Sequence, residues 1–585
     1  MKSKILRIVL VIISTIDCLM FLGMKGNWSG ISSTLGVNQD NQSIFLLYFP
    51  FMVWMIMFLD MALCYVDYFL KKRIKAITII NIVLVSLSLV IIIVMFKMGC
   101  AEYSPFIFPD FLKYLCFVVA IYVLYFLIFV LPKIEWRRPL LTKILLLVGL
   151  TLSLFVLAAD ISINRITYHP VVYAVQDDYQ IVFSCSKEAT ASLTVGDETY
   201  YETSAGYGTS RTKVHKVIVP MEKLDQAKGY TIYLQSYFYR GPFYSYKSRL
   251  ISEHHDFKPI SYEDGIDYYA LSDVHHSLKS AILAASYHEN MDFLVILGDI
   301  ASECDSFETA NLANLLAYKI TSGEKPVLYA RGNHETKNRY SEELYKYVGS
   351  VNQNFYFWYQ MNVYLDEELY GHVKGFVLDF GEDHHDGWWE FGGSDHFDDY
   401  RKDQIAYMND NKEFLLNDVL PFEYHLILNH IPVVYQTRDE DERDMKQAFC
   451  DVYNTLNIDV NLSGHQHQLF IFEPGLVTSN THLYYNKAYN ASRSKITTAS
   501  TNNFNFHCFV VSRKSYDQAE LETDLRSFTG VHGNARSVAL SGIRKNETNI
   551  EYTNSKGKVL SMVSQYVNNR DDVGKVYGTK ITYTK

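Results

Sequence analysis

Hydrophobic and polar positions divide the chain into regions of different periodicity. Residues 163–258 show short alternating runs broken by turns, whereas residues 259–525 show short, wholly apolar runs separated by helical periodicity. The first 162 residues instead contain apolar runs that are each long enough to cross a hydrocarbon core of about 30 Å. These runs lie at 5–23, 44–70, 76–96, 111–131 and 144–163. The pattern predicts a helical membrane region of about five spans (residues 1–162), followed by two regions of different fold class.

Basic residues are distributed unevenly among the segments that separate the apolar runs. The amino terminus and segments 71–75 and 132–143 are rich in lysine and arginine, whereas 24–43 and 97–110 hold one lysine each. Basic segments stay on the cytoplasmic side, so the amino terminus is expected inside and the residues after the fifth span outside. The expected location is the cell membrane, as a multi-pass protein whose carboxyl-terminal part is extracytoplasmic.

The membrane region leaves two questions open. The basic start and apolar middle of the first run also fit a signal peptide, but no small-x-small cleavage site follows, which favours a retained anchor. Asp17, Asp60 and Asp67 lie in or near the spans, where an acid is unfavourable enough to suggest function. Asp17 and Asp67 also fit an interfacial position, so Asp60 is the stronger candidate. The sequence assigns the region no role beyond anchoring.

The alternating runs of residues 163–258 predict a separate β domain. Residues 180–184, 191–195 and 230–239 are examples, the last followed by a turn at Arg240-Gly241-Pro242. Several short strands at this spacing are typical of an antiparallel β-sandwich. Its many tyrosines fit either packing within the sandwich or binding to a sugar or lipid surface. At the other end of the chain, residues 526–585 are predicted to form a β-rich extension, to which no chemistry is assigned.

Residues 259–525 carry polar side chains where the predicted strands end. One apolar run ends shortly before Asp273 and His275, and a second, residues 293–297, ends just before Asp299. Helical periodicity lies between the two runs, so the unit is strand–helix–strand and predicts a parallel sheet, whose carboxyl ends hold ligand sites. Asp273 and His275 are two residues apart, so in an extended chain they project to the same side.

The same arrangement recurs three times downstream. Apolar runs precede Gly332-Asn333-His334-Glu335, Asn429-His430 and Gly464-His465-Gln466-His467. One histidine after a strand is more often structural, but five such strand ends in order indicate a shared site. The donors are oxygen and imidazole without thiolate, and they exceed what one ion needs, so two hard or borderline metal ions are indicated.

These five blocks resemble the calcineurin-like metallophosphoesterases, whose pattern is Asp-x-His, Gly-Asp, Gly-Asn-His-Asp/Glu, a lone His and Gly-His-x-His. The resemblance covers about residues 259–525 and implies an α/β sandwich of βαβ units, with two packed sheets flanked by helices. Residues 163–258 are similar, in pattern and order, to the fibronectin-type domain that precedes the catalytic domain in purple acid phosphatases. The expected chain is therefore multi-domain: membrane helices, a fibronectin-like β-sandwich and a metallophosphoesterase domain.

The resemblance also implies a role for each donor. Asp273, His275 and His467 would serve a first divalent ion, Asn333, His430 and His465 a second, and Asp299 would bridge them. His334 would be catalytic, stabilising the transition state or protonating the leaving group. The implied reaction is metal-hydroxide attack on the phosphorus of a phosphomonoester or phosphodiester, with Mn, Fe or Zn as the metal.

One position departs from the purple acid phosphatases. In those enzymes a tyrosine follows the bridging aspartate by three residues, and its phenolate binds ferric iron and causes the colour. Here that position is Ser302, while His275 supplies an imidazole that the purple enzymes lack in their first block. The sequence therefore predicts a colourless enzyme with divalent metals.

The segment Gly381–Arg401 is rich in acids, histidines and tryptophans. It directly follows the apolar run 375–380, so it should begin on the same side as the ligands. It fits either a solvated connection or a flap over the metal centre, in which Trp388 or Trp389 contacts the non-phosphate part of a substrate.

Composition narrows the function further. The chain has 585 residues, and 54 basic against 64 acidic residues give a net charge of −10, which offers no electrostatic case for nucleic-acid binding. Cys185, Cys304, Cys450 and Cys508 lack metal-type spacing; an external location permits a disulfide, but the sequence pairs none. A non-hydrolysing receptor or scaffold is the alternative to an enzyme, and the complete donor set with His334 argues against it. Nucleotide, lipid-headgroup and cell-wall phosphates stay open as substrates, as does the oligomeric state.

Overall fold

The structure is a computed structural model that describes residues 2–23, 61–62, 64, 79–83 and most of 164–585. In the last range it leaves out 205, 207, 241–244, 389–394, 418, 435–439, 468–469, 473–474, 477–480, 483–502, 512–527, 541–542, 556–558, 570–575, 578–579 and 584–585. The chain divides into two compact units, Met1–Ser162 and Ile163–Lys585.

The first unit contains one long described helix, α1 (Lys2–Gly23), at the position of the first predicted span. Within this unit Leu10 and Cys64 are buried in one apolar cluster. The helices that the structure describes do not include one whose length and apolar character would suffice for a membrane span. The other four predicted spans lie largely outside the described residues, as do Asp60, Asp67 and the side chain of Asp17. The helical membrane region therefore stays a prediction.

The second unit begins with strands that surround one long central strand. The elements are β1 (Ile166–Val175), β2 (Asp178–Val195), β3 (Glu198–Tyr201), β4 (Thr203–Ser204), β5 (Gly208–Thr209), β6 (Thr212–Pro220), α2 (Met221–Ala227), β7 (Gly229–Arg240), β8 (Ser245–Lys247) and β9 (Ile251–Asp256). Strand β2 pairs antiparallel with β1, β3, β6 and β7. Its second half alternates between buried and partly exposed residues, the period-2 pattern of a strand with one face in a core.

Alternating strands and helices follow, as the sequence predicts for residues 259–525. The elements up to the middle of this region are β10 (Ile260–Ser261), β11 (Ile266–Leu271), α3 (Leu278–Ala285), β12 (Phe293–Ile296), α4 (Phe307–Ala310), α5 (Leu312–Thr321), β13 (Pro326–Tyr329), β14 (Phe357–Leu365) and β15 (Glu368–Leu378). The remaining elements are α6 (Phe397–Leu416), β16 (Phe422–Asn429), α7 (Glu440–Tyr453), β17 (Val460–Ser463), β18 (Phe470–Phe472), β19 (Gly475–Leu476), β20 (Thr481–His482), β21 (Asn503–Phe504) and β22 (Cys508–Val510). The chain then forms β23 (Thr529–Leu540), β24 (Ile543–Asn554), β25 (Val559–Asn569), β26 (Val576–Tyr577) and β27 (Lys580–Tyr583).

Two large sheets form the core of this unit. In the first, β11, β12 and β13 are adjacent and parallel; in the second, β15, β16 and β17 are adjacent and parallel. The sheets meet face to face, where the hydroxyl groups of Tyr268 on β11 and Tyr424 on β16 lie 3.2 Å apart. Strands β11, β12, β16 and β17 are almost wholly buried, which explains why they appear in the sequence as continuous apolar runs. The mixed α/β core expected of a metallophosphoesterase is thus present.

The first sheet extends beyond this core at both edges. Strand β1 pairs in parallel with β13, and β23 pairs antiparallel with β11. Strands from residues 166–256 and from 529–583 therefore belong to one 15-stranded sheet together with β11–β13. A separate fibronectin-like sandwich stays a prediction, as do the domain limits at 258 and 525. The added strands pair the edges of the parallel strands, whose backbone groups would otherwise lack partners.

The four cysteines of the second unit lie in its interior. Cys185, Cys304, Cys450 and Cys508 are all buried, and none of the four forms a disulfide with another described cysteine. They behave as small apolar core residues, as in the cluster that contains Cys450 and Cys508.

Candidate metal centre

The predicted ligands come together at the carboxyl ends of the central parallel strands. Asp273 and His275 follow β11, Asp299 follows β12, Asn333 follows β13, His430 follows β16, and His465 and His467 follow β17. Strands from both sheets therefore contribute to one site. This is the location at which open α/β sheets bind ligands.

One group of donors consists of Asp273, His275, Asp299 and His467. One ligand atom from each lies within 4.8 Å of the others. The Nε2 atoms of His275 and His467 are 3.3 Å apart, and His467 Nε2 is 3.4 Å from Asp273 Oδ1. His275 Nε2 lies 3.7 Å from Asp299 Oδ2.

A second group consists of Asp299, His430 and His465, again within 4.8 Å of one another. His430 Nε2 is 3.2 Å from Asp299 Oδ2, and His465 Nδ1 is 3.2 Å from Asn333 Oδ1. Asp299 therefore belongs to both groups, and Asn333 adjoins the second. The structure brings all seven predicted donors together, while their metal binding stays a prediction.

His334 lies at the edge of these groups. Its backbone amide donates to Asp299 Oδ1 at 2.9 Å, and its Nδ1 donates to the carbonyl of Ser302 at 2.8 Å. Because a carbonyl only accepts, Nδ1 carries the proton of the neutral ring and Nε2 is left for other chemistry. Nε2 lies 3.9 Å from Asp299 Oδ2, and about a quarter of the side chain is exposed.

The backbone around the donors is strained. Asp273, His275, Asp299, His465 and His467 all have φ between 40° and 69°. In residues other than glycine such conformations are unfavourable by about 1–3 kcal/mol each and cluster at functional sites. Asp273 and His275 therefore do not converge through extended chain, as the sequence argument assumed. They converge because β11 ends at Leu271 and the chain turns sharply.

Tight packing between the loops holds these turns in place. The amide of Asp273 donates to the carbonyl of Gly298 at 3.0 Å, and that of His275 to the carbonyl of Asp299 at 2.9 Å. Gly464 lies so close to Ser272 that a Cβ atom at position 464 would be 1.9 Å from Ser272 Oγ. A larger residue at 464 would thus push the histidine loop away from Asp273.

Glu335 has a structural task that the motif does not reveal. Its carboxylate accepts hydrogen bonds from the amides of Asp299 (2.8 Å), Ile300 (2.7 Å) and Gly332 (3.1 Å). Burial, together with the nearby Asp299 carboxylate, raises the pKa of Glu335 to about 7. The side chain therefore ties the turn that carries Asp299 to the turn that carries Asn333.

The charges in the centre are strongly coupled. Burial opposes ionisation of Asp299, but His430, His334 and His275 hold its pKa well below the usual value. Burial likewise opposes the charge of His430, yet Asp299 raises the pKa of that ring to about 10. His430 Nε2 faces Asp299 Oδ2 at 3.2 Å, and Asp273 Oδ1 faces His467 Nε2 at 3.4 Å, in a buried space. Oxygen and imidazole donors that converge in this way are chemically suited to metal ions.

The acid-rich segment Gly381–Arg401 begins at the centre. Glu382 Oε2 accepts from Asn333 Nδ2 at 3.0 Å, and Asp383 Oδ2 lies 3.1 Å from His465 Nε2. Trp388 stacks on His384 with ring centroids 4.1 Å apart, and Trp389 lies outside the described residues. The start of this segment, here named the flap segment, therefore lies against the predicted ligands, while a cover over the metal centre stays a prediction. The local density of acids was the available sequence signal, but it did not distinguish Glu382 and Asp383 from the other acids of the segment.

One family model matches part of the second unit. Residues 266–469 match the family model described as calcineurin-like phosphoesterase. No curated protein matches the chain.

Three solved structures are similar to it. Purple acid phosphatase PPD1 from yellow lupin (Lupinus luteus) seeds is 12% identical, with a TM-score of 0.39 over 67% of this chain and 73% of that one. PhoD is 9% identical, with a TM-score of 0.38 over 71% of this chain and 92% of that one. GAP50, the anchor in the inner membrane complex of Plasmodium, is 12% identical, with a TM-score of 0.32 over 52% of this chain and 90% of that one. By its match to the family model, the chain carries a calcineurin-like phosphoesterase domain at residues 266–469.

Proposed function

We propose that this protein is a membrane-anchored, extracytoplasmic phosphoesterase that hydrolyses a phosphomonoester or phosphodiester with the help of two divalent metal ions. One observation carries the proposal: Asp299 is shared by two groups of oxygen and nitrogen donors. A carboxylate has two oxygens and can therefore serve two ions at once. Paired ions are a common device for phosphoester hydrolysis.

Each donor has a role in this proposal. Asp273, His275 and His467 would hold the first ion, Asn333, His430 and His465 the second, and Asp299 both. The absence of thiolates suits Mn, Fe or Zn in the divalent state. When bound, such ions lower the pKa of a coordinated water and neutralise charge on the phosphoryl oxygens. Asn333 adds an oxygen ligand without further negative charge, which keeps the centre attractive to an anionic substrate.

His334 would protonate the leaving group or stabilise its developing charge. The Ser302 carbonyl holds its Nδ1–H, so the ring cannot turn freely and Nε2 points to a fixed position near Asp299. Partial exposure of the side chain leaves room for a substrate at Nε2. A protonated Nε2 there can stabilise the developing charge or donate to the departing oxygen.

Membrane anchoring and an extracytoplasmic centre rest on the sequence. Five apolar runs before residue 164 and the alternation of basic segments between them support both. The substrate would then be a phosphoester that is accessible outside the membrane.

The activity can be tested on the detergent-solubilised full chain. We expect it to hydrolyse at least one member of a panel of phosphomonoesters and phosphodiesters after loading with Mn, Fe(II) or Zn, and to lose the activity in the presence of a chelator. Absence of both metal binding and hydrolysis under all these conditions would refute the proposal.

Two variants separate the roles of Asp299 and His334. Asp299→Asn removes the shared charge, so metal content and turnover should fall together. His334→Ala should retain the metals but slow turnover by roughly 10²–10⁴-fold, the usual contribution of a general acid. Metal content by elemental analysis and turnover by phosphate release are the measurements. His254→Ala, an exposed histidine on β9, is the matched control and should behave as wild type. Wild-type rates in both test variants would contradict the assignment.

A further inference from the structure

We propose that Glu382 and Asp383, the first two acids of the flap segment, are positioning residues that assemble the second of the two metal sites. The inference rests on the dinuclear centre proposed above. It concerns the ligands Asn333 and His465, each of which contacts one of these neighbouring carboxylates.

Asp383 fixes the orientation of His465. Its Oδ2 is 3.1 Å from His465 Nε2, and because a carboxylate only accepts, Nε2 carries the proton. In the neutral ring the lone pair then lies on Nδ1, which faces Asn333 Oδ1 at 3.2 Å. Metal-binding histidines commonly donate their other N–H to a carboxylate, which sets the ring orientation and strengthens the ligand.

Glu382 fixes the orientation of the Asn333 side-chain amide. Its buried carboxylate accepts from Asn333 Nδ2 at 3.0 Å, so the amide must direct Oδ1 towards His465. Glu382 is itself held by the hydroxyl of Thr336 at 3.3 Å and the ammonium group of Lys337 at 3.4 Å. As a result, an amide oxygen and an imidazole nitrogen face each other. A cation would stabilise these two lone pairs together.

The segment that carries the two acids is firmly anchored. The buried guanidinium group of Arg401 donates to the carbonyls of Phe380, Glu382 and His384 and pairs with Asp398 at 2.6 Å. Gly381 has φ of 71°, and a Cβ there would be 2.2 Å from the ring of Phe397. A fixed turn therefore holds both carboxylates, as is required of residues that position metal ligands.

The first metal site is built differently. His467 Nε2 lies 3.3 Å from His275 Nε2 and 3.4 Å from Asp273 Oδ1. They also belong to the loops after β11 and β17, not to the flap segment. Loss of Asp383 should consequently weaken the second site while the first keeps its affinity.

Mn²⁺ binding by the full chain tests this selectivity. Free Mn²⁺ can be counted by electron paramagnetic resonance during a titration, and spin coupling reports a dinuclear centre. The wild type should bind two ions. Asp383→Ala should bind one ion with unchanged affinity and the second about 10–100-fold more weakly, the usual effect of losing such a partner. Asp383→Asn retains an acceptor oxygen and should restore part of the second affinity.

Controls make the outcomes distinct. Asp399→Asn removes an exposed carboxylate of the following helix and should leave both affinities unchanged. If Asp383→Ala does not fold, Asp383→Leu, which keeps the branch at Cγ and lacks an acceptor, takes its place with the same expected loss. If the variant that lacks the acceptor binds two ions with wild-type affinity, or binds both ions equally more weakly, the inference is wrong. The proposed function would not be affected by either result. A wild type that binds no Mn²⁺ would overturn the proposed function and the inference together.

Discussion

Ser302 is the single residue with the clearest consequence for the chemistry of the centre. It follows Asp299 by three residues, where the purple acid phosphatases carry a tyrosine. Its backbone amide donates to His276 Nε2 at 3.1 Å and its carbonyl accepts from His334 Nδ1. Ser302 therefore supports two imidazoles through its backbone, while a protonated hydroxyl is a poor metal ligand.

The metal-loaded protein is therefore expected to be colourless. Replacing an anionic phenolate by the neutral imidazole of His275 leaves one less negative charge on the first ion, which favours a divalent metal over Fe(III). Absorption spectroscopy of the protein loaded with Mn, Fe(II) or Zn should show no intense visible band. A strong band that vanished on reduction or on metal removal would contradict this expectation.

At the residue scale, the sequence indicated the donors but not the residues that hold these donors in place. The strand-end motifs identify all seven donors that the structure brings together, because each motif is local. Glu335 binds the amide of Asp299 across 36 positions, and Asp383 contacts His465 across 82. No periodicity encodes such distant pairs. The turn geometry at Asp273 and His275 was missed for a related reason, since tertiary packing enforces a φ that local preference disfavours.

At the scale of elements, a buried ion pair connects the two sheets. Arg331 follows β13 in the first sheet, Asp379 follows β15 in the second, and their side chains approach to 2.7 Å. Asp379 also accepts from the hydroxyl of Tyr400 at 3.0 Å and the amide of Gly381 at 2.9 Å. The Arg331 guanidinium group lies over the ring of Phe355, 4.3 Å from its centroid. The pair therefore fixes the flap segment relative to the Asn333 turn.

Breaking this ion pair should destabilise the fold. Arg331→Met leaves the carboxylate of Asp379 buried without its counter-charge, which typically lowers the free energy of unfolding by about 3–5 kcal/mol. Denaturant unfolding followed by tryptophan fluorescence measures the loss. The double variant Arg331→Met/Asp379→Asn removes the unpaired charge and should recover part of the stability. A single variant as stable as the wild type would show that the pair contributes little.

Asp225 connects the amino-terminal strands to the second sheet. It lies on α2 and accepts from Tyr179 on β2 and from Asn362 and Tyr364 on β14, at 3.0–3.2 Å. Burial raises its pKa from 3.8 to about 6, although the three donors act in the opposite direction. The folded protein therefore binds the proton more tightly than the unfolded chain. The contribution of Asp225 to the free energy of unfolding is fully present below about pH 4 and is lost as the pH rises through about 6.

Asp225→Asn should remove this pH dependence. A shift of about two pKa units corresponds to about 3 kcal/mol. The free energy of unfolding of the wild type relative to the variant should thus fall by up to that amount between pH 4 and pH 7. Denaturant titrations at several pH values give the comparison, with Asp399→Asn as the exposed control. A constant difference across this range would refute the raised pKa.

The sequence indicated most elements but not how their sheets join. Strand–helix alternation predicted the mixed α/β core because buried parallel strands are continuous apolar runs. The pairing of β1 with β13, and of β11 with β23, joins segments more than 150 and 260 positions apart. Both added pairings occur at sheet edges, and an edge strand presents similar backbone groups to any partner. Local periodicity therefore could not show that residues 166–256 extend the phosphoesterase sheet.

For the whole molecule, the central question is the side of the membrane on which the centre lies. The boundary between the units Met1–Ser162 and Ile163–Lys585 falls at the position in the sequence where long apolar runs give way to alternating ones. Basic residues at the amino terminus and in segments 71–75 and 132–143 predict an odd number of spans between the cytoplasm and residue 164. The proposed arrangement would place the phosphoesterase domain outside the cytoplasm.

Trypsin added to intact cells or spheroplasts should therefore cut the second unit. The side chains of Lys258 and Lys402 are each 64% exposed, so cleavage sites are available without unfolding. A tag at the carboxyl terminus should be lost from intact cells at the rate seen after permeabilisation, while a cytoplasmic marker protein stays protected until the membrane is opened. Five spans and an inside amino terminus would put residues 164–585 on the outer side, so the opposite result has a definite meaning. Complete protection of the second unit in intact cells, with cleavage after permeabilisation, would require an even number of spans or a reversed amino terminus and would refute the extracytoplasmic assignment.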